Sequence, residues 1–186
     1  MLSGSQISIG RPRGKLMSSP DLKLLDDVVA PKVLEALELA SEALRQAGVR
    51  HVIIGGLAVG ANGHPRATKD VDFLVGAEAF EHHGKLVTLR AGVPFQVDGV
   101  AIDFMSPEAN EPFLEATLAN APGSVIEAAP LVYMKLKASR MQDRADVVAL
   151  IKASLDIDAC RAYLELNAPS FVSRFDALIE IAAREQ

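Results

Sequence analysis

The sequence predicts an α+β fold: a small mixed β-sheet core with flanking helices and a helical C-terminal part. Three observations lead there. Short apolar runs near 51–54, 71–75 and 100–105 have the length of strands and are bounded by turn residues. Before them, Leu34, Leu37, Ala40 and Leu44 recur at helical spacing. After them, from Pro130 onward, the chain reads as helix almost throughout.

Each element follows in order. Residues 1–19, MLSGSQISIGRPRGKLMSS, are rich in Ser and Gly, have no period, and read as a flexible N-terminal arm. From Pro20 the pattern turns helical, with Leu24 and Val28 leading into the run above. Pro31 divides this stretch into two helices, and Gly48 stops the second. HVIIGG is a short buried strand. LAVGAN suits a short helix whose small residues pack closely on the sheet, and DVDFLVG is a second strand. KLVTLR and PFQVDGVAIDFM read as further strands, with Asp98-Gly99 as a hairpin turn. Pro107 to Asn120 reads as a helix. Residues 130–154 read as one long helix or two abutting ones, and two more fill Asp156 to Arg184. The expected organisation is therefore an arm at 1–19, an α+β core at 20–128, and a helical part at 129–186 packed on it.

The 186 residues are 49% hydrophobic and 23% charged, enough for one domain with a real core. The net charge of -5 argues against a chain coated in nucleic acid, while leaving room for a local basic groove. Cys160 is the only cysteine, which excludes a disulfide framework and a cysteine-based zinc site. With no apolar run of membrane length, a cytoplasmic protein with no membrane association is expected.

The chemistry is concentrated in IIGGLAVGANGHPRATKDVDFLVG, Ile53 to Gly76. In a strand, Asp70 and Asp72 point to the same face while Val71 and Phe73 point to the other. Two like charges beside an apolar sheet are costly unless a cation joins them. A hard divalent cation such as Mg2+ takes oxygen ligands and commonly pairs carboxylates with substrate phosphates. Asp103 sits between Ile102 and Phe104 in another apolar run. If that strand lies beside the first, three carboxylates converge, enough for two magnesium ions. Gly55 and Gly56 fall at a strand-to-helix corner, where the absence of a Cβ lets backbone N–H groups approach a phosphate. The spacing of GGLAVG is neither a dinucleotide fingerprint nor a P-loop.

This pattern resembles the nucleotidyltransferase superfamily of the polymerase β type. It comprises Gly55-Gly56, thirteen residues, Asp70-Val71-Asp72, and a later Asp103 in an apolar strand. The finer texture, with LVYMKLKASRMQDRADVVALI downstream, is most similar to minimal nucleotidyltransferases of the AbiEii-like toxin branch, over about Val49 to Lys152. The resemblance implies transfer of a nucleoside monophosphate from an NTP to a hydroxyl. It assigns the phosphates to Gly55 and Gly56, and metal and catalysis to Asp70, Asp72 and Asp103. It also matches Lys135, Lys137 and Arg140 to a Lys-rich helix that meets the triphosphate, Lys137 and Arg140 sharing a helix face three residues apart. Arg66 and Lys69 are further candidates for the nucleotide. Acceptors in this family are RNA or tRNA, protein, or small molecules, and a cognate antitoxin is an implied partner. The short segment between Asp72 and Asp103 leaves little room for a separate acceptor-binding insertion.

Other signals have plainer readings. Asp156-Ile157-Asp158 repeats the spacing without upstream glycines and reads as a helix cap. Asp143 and Asp146 read as partners of nearby arginines along their helix. His82 and His83 diverge on a helix and belong at the surface, while His64 lies in the loop before Asp70 and reads as a loop residue more readily than as part of the site. The alternative to an enzyme is a catalytically silent nucleotide- or partner-binding module with the same fold.

Overall fold

Pro31 opens helix α1, Pro31–Gln46, where its missing N–H has no helical partner to lose. The computed structural model describes residues 19–120 and 122–185. The arm expected at 1–19 lies outside these apart from Ser19. Ahead of α1 stands a single 3-10 turn, Leu22–Leu25, in place of the expected extra helix. Asp21 caps it by accepting from the Lys23 N–H at 3.0 Å. This turn changes which leucines are inside. Leu25 and Val29 are buried, whereas Leu24 and Val28 are exposed. Three residues per turn, against 3.6, moves the buried face by one position.

The sheet elements follow in chain order: β1 His51–Ile53, helix α2 Gly55–Ala61, β2 Val71–Val75, β3 Phe80–His83, β4 Leu86–Leu89, β5 Gln96–Val97 and β6 Val100–Met105. Four strands pair in the order β1-β2-β6-β5, with β2 and β6 parallel and the outer pairs antiparallel. Asp98 and Gly99 form the expected hairpin turn between β5 and β6, both with positive φ (47° and 81°). Strands β3 and β4 form a separate two-stranded ribbon. The sequence reading did not foresee β3, because Glu81, His82 and His83 are polar and exposed. His82 and His83 thus lie on a strand and not on a helix. This ribbon also makes the segment between Asp72 and Asp103 richer than its length suggested.

Period two decides what each strand gives to its two faces. Val71, Phe73 and Val75 of β2, with Val100 and Ile102 of β6, join the core formed under α1. Val52 and Leu74 face the other way, into a second core shared with the C-terminal helices. Asp72 and Leu74 lie on one face of β2, so Asp72 looks toward the helical half.

That half comprises α3 Pro112–Asn120, α4 Ala128–Ala138, α5 Met141–Lys152, α6 Ile157–Asn167 and α7 Val172–Arg184. Helix α3 begins five residues later than expected, after Glu111 accepts from the Glu108 N–H at 2.8 Å. Residues 130–154 hold two helices, because Ser139 turns left-handed (φ 56°) and ends α4. Asp156 caps α6 by accepting from the Ala159 N–H at 2.9 Å, as its position suggested. No helix among the described residues is long and apolar enough to cross a membrane.

Candidate active site

The parallel register sets Asp72 of β2 directly opposite Asp103 of β6. Side chains paired in this way project to the same face from strands about 4.8 Å apart. Asp70 stands one residue ahead of β2. All three line one cavity of about 630 Å3, between the sheet and helices α4 and α5. The cavity is also lined by Gly55, Gly56, Arg66, Lys69, Lys135 and Arg140, so nine of the ten residues singled out from the sequence share it.

The exception is Lys137. Its ammonium donates to Glu108 at 2.8 Å and to Glu111 at 2.6 Å, and Tyr133 Oη also donates to Glu111 at 2.5 Å. Lys137 therefore braces the approach to α3. The expected shared face with Arg140 is broken as well, since Ser139 separates α4 from α5 and Arg140 sits at the N-terminal cap of α5.

Asp72 is held unusually. The Gly56 N–H donates to its carboxylate, yet its pKa is pushed up to about 6. Burial is the largest cause, followed by the charges of Asp70 and Asp103, with Lys135 opposing. Gly55 has φ +66°, and a Cβ there would fall on Asp72 Oδ2 and within 2.7 Å of Asp72 Cβ. A Cβ on Gly56 would lie 2.9 Å from Thr68 Oγ1. The two glycines thus have a steric role the sequence did not suggest. They let the Asp72 carboxylate and the Arg66–Thr68 loop close on the backbone, and the Gly56 N–H already serves a carboxylate.

Asp70 accepts from Thr68 Oγ1 at 2.8 Å. Among the described residues, no three His, Cys, Asp or Glu side chains already stand close enough together to hold an ion. The expected convergence of the three carboxylates therefore goes no further than a shared rim. Asp70 is engaged by the Thr68 hydroxyl. The donor set still suits a hard cation. It is all oxygen, and no lysine or arginine among the described residues forms an ion pair with Asp70, Asp72 or Asp103.

The cations across the cavity are held from behind by α5. Asp146, fully buried, takes Arg66 through both oxygens, Nε at 2.8 Å and Nη2 at 3.0 Å. It also takes Lys135 at 2.8 Å and the Gln142 amide at 2.8 Å. Asp143 takes Lys135 at 3.0 Å and Arg140 Nε at 2.8 Å. Burial alone would raise both pKa values. The bonds from Arg140 and Lys135 to Asp143, and from Arg66, Lys135 and Gln142 to Asp146, lower them below the usual carboxylate range. Lys69 lies exposed at the rim and forms no ion pair within the 4 Å range among the described residues.

Asp143 and Asp146 are the cavity-side residues whose part the sequence reading undervalued. The sequence reads them as partners of arginines along their helix, which holds for Asp143 with Arg140, whereas Asp146 pairs with the distant Arg66; with Val147 and Leu150 they form the buried stripe of α5 at i, i+3, i+4, i+7. Acids in an apolar stripe were the available signal. His64 lines a different groove, with Arg144, Lys152 and Glu185, and does not reach the site.

No family model matches the chain, and no curated protein matches it. The functional reading therefore stands on the residues and their geometry.

Proposed function

We propose that the chain is a metal-dependent nucleotidyltransferase, moving a nucleoside monophosphate from an NTP to a hydroxyl with pyrophosphate leaving. The observation that carries this is the register of Asp72 beside Asp103, with Asp70 on the same rim and a set of tethered cations across the cavity. The five carboxylates divide into two groups. Asp143 and Asp146 are satisfied by Lys135, Arg66 and Arg140. Asp70, Asp72 and Asp103 keep an unbalanced negative charge, and that imbalance calls for a cation.

Asp70, Asp72 and Asp103 would hold Mg2+, two ions on the reading of three carboxylates, and magnesium bound there supplies Lewis-acid stabilisation of phosphate charge. Lys69, Arg66 and Arg140 offset the remaining charge of the triphosphate, Arg66 in an orientation fixed by Asp146. Asp103, exposed on β6, takes the acceptor's hydroxyl proton. The acceptor oxygen bonds to the α-phosphorus as the bond from that phosphorus to the β-phosphate bridge breaks. Gly55 and Gly56 act one step back, by seating Asp72.

RNA or tRNA, protein and small molecules are the acceptor classes. A toxin role with tRNA as acceptor and a cognate antitoxin as partner is the finer form of the proposal, supported by the AbiEii-like texture of the sequence. The test is transfer of label from α-labelled NTPs with magnesium across tRNA, protein and drug acceptors, with Asp72→Asn alongside. Transfer in wild type alone upholds the reading. Nucleotide binding without transfer to any acceptor favours the silent module. Binding that is independent of magnesium and unchanged in Asp72→Asn overturns the site assignment.

A further inference from the structure

We infer that the cavity-facing stripe of α4, together with Met105, seats the nucleobase of the NTP by apolar contact, so that all four bases are taken with little preference. This rests on the nucleotidyl-transfer reading and deepens it.

Leu131, Met134, Lys135 and Ala138 all line the cavity, and their spacing of i, i+3, i+4, i+7 is one helix face. Lys135 is the one charged member, and its ammonium is drawn back to Asp143 and Asp146 at 3.0 and 2.8 Å. Leu131 and Met134 are shared with the core and keep only 1% and 8% of their surface open, whereas Ala138 is exposed, so what the stripe offers a ligand is the Ala138 methyl and an edge of the Met134 thioether.

Met105 extends the same surface from the sheet side. It follows Asp103 by two residues on β6, so it points to the same face, roughly 7 Å along the strand. On this reading the base, one sugar away from the reacting phosphate, lies on the Met105 side of the carboxylates. Met105 is 47% exposed and lines the cavity.

Discrimination among bases by neutral side chains needs groups free to pair with their edges. The neutral polar side chains lining the cavity are Thr68 and Gln142. Thr68 donates to Asp70 at 2.8 Å and the Gln142 amide nitrogen donates to Asp146 at 2.8 Å. An apolar wall separates similar ligands only weakly, whereas dedicated hydrogen-bonding groups separate them strongly. Methionines adapt to flat rings of different size through flexible stems and sulfur–aromatic contact.

The experiment is calorimetry on the full chain with magnesium and five probes: ATP, GTP, CTP, UTP and inorganic tripolyphosphate. The expected result is four nucleotide affinities within about fivefold of one another, each at least about tenfold tighter than tripolyphosphate. Met105→Ala, an exposed position that leaves the core intact, should weaken all four nucleotides about three- to tenfold and leave tripolyphosphate unchanged. A preference for one base above about thirtyfold would show a hydrogen-bonded base site and overturn the inference. Nucleotides binding no tighter than tripolyphosphate would overturn it too, assigning the apolar wall to the acceptor while leaving the nucleotidyl-transfer reading in place. Failure of tripolyphosphate and all four nucleotides to bind would remove both.

Discussion

Gly55 makes room for Asp72: the Asp72 carboxylate occupies the space where any other residue at position 55 would carry its Cβ. The glycine that opens α2 and the aspartate near the start of β2 are a single steric unit. The first prediction follows from it. Gly55→Ala carries both a left-handed φ and an overlap, and should lose about 3 kcal/mol of stability together with magnesium-dependent nucleotide binding. Gly63→Ala is the control. Gly63 also has a positive φ (109°), but a Cβ there meets Ala153 Cβ at an ordinary 3.7 Å. It should cost about 1–2 kcal/mol from φ alone and leave nucleotide binding unchanged. Equal losses in urea titrations of the two variants would refute the steric pairing.

Asp72 should weigh on the metal-free fold at neutral pH. Its folded pKa of about 6 lies above the ordinary value of 3.8. A raised carboxyl pKa means the folded state holds its proton longer than the unfolded state. The burden is therefore absent below about pH 4, grows between about 4 and 6, and is complete above that, reaching roughly 3 kcal/mol. Asp72→Asn removes it. In EDTA the variant should match wild type at pH 4 and exceed it in urea midpoint at pH 7.5. Magnesium should then raise the melting temperature of wild type more than that of the variant. A variant less stable than wild type at pH 7.5 in EDTA would refute this.

Asp146 is the anchor of the cation wall. Asp146→Asn leaves Arg66 without its paired acceptor and Lys135 with Asp143 alone. Breaking a buried ion pair from one side costs about 3–5 kcal/mol. The rise in KM for NTP should be matched by Arg66→Gln, which removes the cation and keeps the carboxylate. Should Asp146→Asn lose stability while KM stays at the wild-type value, Arg66 has no part in binding.

Lys69 and Lys137 should behave oppositely. Lys69 borders the cavity, whereas Lys137 is engaged by Glu108 and Glu111 outside it. Lys69→Ala should weaken magnesium–nucleotide binding about three- to tenfold with little change in stability. Lys137→Ala should lower stability, because it takes the charged donor from the buried Glu111 and leaves it only the neutral donors Tyr133 Oη and Glu108 N–H, and leave nucleotide affinity alone. Reversed effects in calorimetry and melting would move the nucleotide to the other side of α4.

That Asp70, Asp72 and Asp103 share one cavity was legible in the sequence because strand geometry is so restrictive, although their closer convergence is not seen. Period two puts Asp70 and Asp72 on one side, and the parallel pairing supplies Asp103 at the level of Asp72. The hairpin turn at Asp98-Gly99 was legible for a similar reason, since few dipeptides take two positive φ angles. The cation half was less so. Lys135 and Lys137 look alike on paper, and only the packing of α4 against α5 turns one inward and the other toward α3. Asp143 and Asp146 were hidden because their partners come from α4 and from a loop eighty residues earlier as well as from their own helix. Strand β3 was missed because a ribbon with solvent on its surface needs no apolar period.

The parallel pairing of β2 with β6 has a consequence for how this chain can change. Two strands that run side by side in the same direction need a return path, and here residues 76–99 make that excursion. The path is rooted by the buried Ala79 and Val93, while everything from Glu81 to Val87 stands in solvent. The carboxylates sit at the fixed ends of the detour and the ribbon at its free end. Mutation, lengthening or replacement can accumulate at the tip without moving Asp72 relative to Asp103. The fold thereby separates what must stay constant for chemistry from what is free to diversify.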